Sequence, residues 1–68
     1  MSVKSCQGSL GGGCNALATC QTGSILGGLC APSPTGYGQI LGNGYYCSAN
    51  GTGSYGTTSY ATATAFCS

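Results

Sequence analysis

The strongest hydropathy pattern lies near the C-terminus. Thr58, Tyr60, Thr62, Thr64 and Phe66 take every second position, and Ser59, Ala61, Ala63, Ala65 and Cys67 fill the places between. A period of two puts the two sets on opposite faces of a strand, so residues 58–66 are expected to be extended. Upstream, Asn43-Gly44 and Asn50-Gly51 are the dipeptide that two-residue type I′ hairpins favour, because both central residues need positive φ. Two such turns predict an antiparallel meander over about residues 37–66. Counting outward from them sets Leu41 opposite Tyr46 and Tyr46 opposite Tyr55, an apolar column that helps fix the register.

The same count pairs Tyr45 with Gly56 and leaves residues 58–66 overhanging their hairpin by about 30 Å, at roughly 3.3 Å per residue. Backbone groups over that length need a partner strand. Residues 1–12 offer one, and a second molecule offers another. The segment has no charge and no proline, the features that commonly block edge pairing. Thr58, Tyr60, Thr62, Ala63, Thr64 and Phe66 are therefore the expected assembly interface, with the chain itself as partner.

The first half reads differently. Cys14, Leu17, Ala18 and Gln21 fall at helical spacing, and Gly23 stands where a helix would stop, which predicts a short helix near 14–22. A helix of that length is marginal alone and would rely on cystines at its ends. Ser24 to Cys30 fits either a helical turn or a strand. Ala31-Pro32-Ser33-Pro34-Thr35-Gly36 reads as a connector, since proline fixes φ and biases the residue before it toward extended conformations. The expected organisation is one domain over 1–68: a Cys/Leu/Gly-rich half (1–31), a proline connector (32–36) and a Tyr/Thr-rich β half (37–68).

Composition narrows the function. The chain has 68 residues with 14 Gly and 6 Cys, no Asp, Glu or His, and one charged side chain, Lys4. Roughly a quarter of an average soluble protein is charged. Acid–base catalysis here lacks carboxylates and imidazoles, and a cysteine nucleophile lacks a base, so no enzyme is expected. Nucleic-acid binding lacks a basic surface, hard divalent cations lack carboxylate ligands, and no cofactor is implied.

Cys6, Cys14, Cys20, Cys30, Cys47 and Cys67 read as a disulfide framework from an oxidising, extracellular or cell-surface setting. Six cysteines allow 15 full pairings, and the sequence does not choose among them. Zinc is disfavoured because its ligands usually come in pairs two to four residues apart, and no such pair occurs. The segment 1–4 is followed by no continuous apolar run that would form a secretory leader. Leu10 to Ala31 is uncharged but is broken by several glycines, so no spanning membrane segment is expected.

Several short patterns compete with plain structure. Asn50-Gly51-Thr52 matches the N-glycosylation acceptor at Asn50. Tyr45, Tyr46, Tyr55 and Tyr60 offer a stacking platform for carbohydrate, against core packing as the commoner use of tyrosine. Thr62-Ala63-Thr64 resembles the Thr-x-Thr rows of ice-binding solenoids in those three residues alone. Gly42-Asn43-Gly44-Tyr45-Tyr46-Cys47 resembles the Tyr-Gly-Asn-Gly box of secreted antibacterial peptides, without their nearby basic residues. In size, cysteine content and lack of charge the chain resembles the hydrophobins, but it has neither of their Cys-Cys doublets, so no residue is carried over.

These features point to an extracellular structural subunit: a disulfide-stapled, mainly β domain that self-assembles through strand pairing into a filament, coat or sheath. The alternative is a secreted toxin or effector-like peptide acting on a membrane or host target.

Overall fold

Among the described residues of the computed structural model all strand pairings are antiparallel, and the six strands found there divide into two three-stranded sheets. The structure describes residues 1–10, 12–33, 35–50 and 58–68. Sheet A has the order β1 (Ser2–Leu10), β6 (Thr58–Cys67), β3 (Ile25–Ser33). Sheet B has the order β2 (Cys14–Thr19), β5 (Gly44–Asn50), β4 (Thr35–Leu41). The two halves of the sequence interleave, because each sheet takes strands from both.

The helix expected near 14–22 is replaced by β2. Residues 14–20 fit both periods, but the cystines decide between them. At 100° per residue, Cys14 and Cys20 would stand about 120° apart around a helix. On an extended chain Cys14, Ala16, Ala18 and Cys20 share one face, and both sulfurs reach the opposite sheet. The expected proline connector is strand on both sides of residue 34, which lies outside the described residues. β3 runs through Pro32, which is tolerated because β3 is an edge strand and its outer side needs no N–H donor.

The three-strand meander survives only as the β4–β5 hairpin. β2 and β4 occupy both sides of β5, so Tyr46 pairs with Leu17 and Gln39 rather than with residue 55. The hairpin turn also lies one residue earlier than expected, which shifts every pairing across it by two. Leu41 pairs with Gly44, and the loop is Gly42-Asn43, with Gly42 at φ 62°. A positive φ at the first loop position fits a II′-type turn, which asks for Gly there, rather than type I′. The slip has a cause on each side. Cys47 must face Cys30, and Asn43 ties the turn to a neighbouring loop: its Oδ1 accepts from Ile25 N (2.9 Å) and its Nδ2 donates to Cys20 O and Gly23 O (both 3.1 Å). The second turn, Asn50-Gly51, lies partly outside the described residues.

Segment 58–66 does not overhang. It forms β6, the centre of sheet A, with β1 paired along one side and β3 along the other. Of the two partners the sequence offered, the N-terminal strand of the same chain is the one used. An edge-to-edge contact with another molecule through β6 is therefore closed.

The core between the sheets is made of small side chains. Ala16, Ala18, Ala49, Ala61, Ala63 and Ala65 are buried together with Cys20 and Cys47. Every cystine joins sheet A to sheet B: Cys6–Cys14, Cys20–Cys67 and Cys30–Cys47, with Cα separations of 6.1, 5.8 and 5.3 Å. Face-packed sheets commonly lie ≈ 10 Å apart, so at these points the backbones approach to little more than half that spacing. Only Ala, Ser, Gly and cystine fit such a gap. Tyr45 is the large inward exception, and its ring occupies space left by Gly28 of β3 and Gly38 of β4. A Cβ on Gly38 would lie 2.8 Å from Tyr45 Cε1 and 2.6 Å from Cys30 Cβ, and one on Gly28 would strike the ring itself.

Candidate functional site: the outer faces and edges of the sheets

Since the inner faces hold mainly alanine and cystine, most of the large apolar side chains face outward, with Tyr45, Ile25 and Ile40 on inner rows. Ten of them among the described residues are at least 37% exposed, far more than a chain this short hides. Isolated exposed apolar residues need no explanation, but contiguous ones mark contact surfaces. Here the register makes several of them neighbours, above all Leu17, Tyr46 and Tyr37 on one sheet.

On sheet A, β6 supplies the central column and its neighbours extend each rung. Val3, Thr64 and Leu29 form one rung, Ser5, Thr62 and Ala31 the next, and Gln7, Tyr60 and Ser33 a third. Phe66 stands beyond them opposite Gly27. Thr58, Tyr60, Thr62, Thr64 and Phe66 thus share the outer face, with Tyr60 54% and Phe66 37% exposed. Ala63 points the other way and is buried in the core. The six residues expected to form one edge contact are therefore split between a face and the interior.

On sheet B the outer rungs are Leu17, Tyr46 and Gln39, then Asn15, Ser48 and Tyr37. Tyr37 and Tyr46 are diagonal neighbours with ring centroids 6.1 Å apart and a tilt of 55°. Ser48 Oγ donates to Asn15 Oδ1 at 2.9 Å, locking the adjacent rung. The tyrosines proposed as one stacking platform are dispersed: Tyr45 points inward, Tyr46 lies outside sheet B, Tyr60 lies outside sheet A, and Tyr55 is outside the described residues. Asn50 ends β5 in an exposed position opposite Thr35, and the rest of its acceptor pattern, Gly51-Thr52, also lies outside the described residues.

The four edges differ. In sheet A, β1 carries Lys4, on the row that faces Ala63, and β3 carries Pro32 and a register irregularity between Ile25 and Gly27. An inward charge, a proline and a bulge are recognised blocks to further strand pairing. In sheet B, β2 and β4 carry neither charge nor proline.

The interior offers little chemistry. All six sulfurs are consumed in cystines. The buried hydroxyl of Ser59 donates to Gly12 O, a contact the alternation alone does not reveal. A shallow cleft of 180 Å³ is lined by Met1, Ser2, Thr19, Gln21, Thr22 and Cys67, smaller than the ≈ 300–1,000 Å³ usual for ligand pockets. Among the described residues no helix is long and apolar enough to cross a membrane.

No protein-family model, curated protein or solved structure matches this chain. What it does has to follow from its own residues.

Proposed function

We propose that this protein is an extracellular structural subunit that assembles with copies of itself into a filament, coat or sheath. The observation that carries the reading is the inverted distribution of side chains: alanine, serine and cystine between the sheets, with Tyr45 as the large exception, and leucine, phenylalanine and the other described tyrosines on the outer faces. A monomer gains nothing from an exposed apolar face, whereas a polymer buries it, at roughly 25 cal/mol per Å² removed from water. Net charge is +1 with no acidic side chain, so copies meet with almost no electrostatic repulsion. Three cystines suit an oxidising setting outside the cell. They also hold the thin core together, leaving the large side chains free for contacts between subunits.

Concentration-dependent light scattering tests the proposal. The oxidised chain is expected to form ordered particles above a threshold concentration and to dissolve on dilution. A chain that remains monomeric at high concentration but releases dye from lipid vesicles would instead support the toxin reading.

A further inference from the structure

The edge of β4 has the geometry of a self-docking site. In a two-residue hairpin the closing pair, here Leu41 and Gly44, exchanges both backbone bonds, and bonded and non-bonded pairs then alternate along the ladder. Thr35, Tyr37, Gln39 and Leu41 therefore bond to β5. The N–H and C=O groups of Gly36, Gly38 and Ile40 point out of the sheet. β4 is exposed along nearly its whole length and bears none of the blocks found on β1 and β3.

We propose that a second copy of this chain docks antiparallel along β4, with the two-fold axis at Gly38, joining two sheets B into one six-stranded sheet. This rests on the assembly reading above and names the strand through which it begins. The register that overlaps all of β4 with itself is self-complementary. Gly38 meets Gly38 on the axis, Gly36 meets Ile40 of the second copy, and Tyr37 meets Gln39. The outward groups of the three inner positions then form about six backbone hydrogen bonds. Ile40, 54% exposed in the single chain, gains a neighbour with no side chain of its own, beside the Pro32 ring that lies against Gly36. No like charges meet, because β4 has none. β2 is the other unguarded edge but is shorter and is tied at its start by Cys14 to Cys6. A β4 pair closes at two chains, and the β2 edges of that pair remain open for growth.

Two measurements test this. Ile40→Lys puts at an exposed edge position the residue that guards natural edges. It should leave the three cystines and the far-ultraviolet spectrum intact while raising the concentration needed for association at least about tenfold. Hydrogen exchange on the unaltered chain, followed by NMR from dilute to concentrated, should show the amides of Gly36, Gly38 and Ile40 gaining protection together. Association of the Ile40→Lys chain at the parent's threshold overturns β4 docking while leaving self-assembly standing. Protection of Asn15, Leu17 and Thr19 from the same concentration as β4, rather than only above it once β4 pairs join through β2, means head-to-tail pairing of β4 on β2 and overturns the two-fold arrangement. An unaltered chain that never associates removes both the docking and the structural-subunit reading.

Discussion

Removing the cystines one at a time should destabilise the fold in an order set mainly by loop length. Cys6–Cys14, Cys30–Cys47 and Cys20–Cys67 close chain segments of 8, 17 and 47 residues. The chain-entropy relation assigns them about 2.5, about 3 and about 4 kcal/mol at 25 °C. The last figure falls to about 3.6 kcal/mol when Cys30–Cys47 is intact, because that inner bond short-circuits the larger loop. Replacing Cys30 and Cys47 also loses sulfur packing at a site where Cys47 is fully buried, which brings its total close to that of Cys20–Cys67. A 68-residue domain is expected to have only about 3–10 kcal/mol in all. Paired Cys→Ala variants, unfolded in urea without reductant, should therefore keep a cooperative transition when Cys6–Cys14 is removed. Removing either of the others should abolish most or all of it. A Cys6–Cys14 variant that loses as much as the Cys20–Cys67 variant would show that loop length does not set the order.

Asn43→Asp keeps the acceptor for Ile25 N but turns the two donors to Cys20 O and Gly23 O into repulsion, so it should cost about 1–3 kcal/mol in urea unfolding, with Asn43→Ala in the same range. Gly28→Ala should displace the Tyr45 ring and shift near-ultraviolet circular dichroism, whereas Gly42→Ala, whose Cβ meets nothing within 4 Å, should cost only about 1 kcal/mol through its positive φ. Thr62→Pro would remove a donor from the central strand of sheet A and should prevent folding, seen as loss of the far-ultraviolet strand signal. Stability should stay flat between about pH 4.5 and 6.5, since the chain has no Asp, Glu or His to titrate there, and a slope in denaturation midpoints across that window would contradict this.

The sequence made β6 legible because its alternation is long and its two faces differ sharply in size. It also showed that the chain is small, mainly β and disulfide-stapled. It misplaced β2, because Ala and Cys satisfy a helical period as readily as a strand period. Only the bonds of Cys14 to Cys6 and of Cys20 to Cys67, both across the sheets, separate the two, and pairing is not written in spacing. The hairpin register slipped because Asn43-Gly44 outweighed Gly42-Asn43 as a local signal, while the deciding contacts of Asn43 come from residues around 20–25, distant in sequence. The expected edge contact at 58–66 failed for a related reason. β1, with its single Lys and mixed polarity, carries no strong strand pattern, yet it and β3 close both sides of β6. The inverted side-chain distribution was half visible in the Ala row, but its meaning depends on which face turns inward.

Whether the natively folded chain builds an ordered polymer is decided by electron microscopy of the oxidised, unaltered chain across its association threshold. Regular filaments or sheets with a constant repeat are expected, absent below the threshold and after reduction of the cystines. Featureless aggregates, or single particles of monomer size at every concentration with the cystines intact, would contradict it.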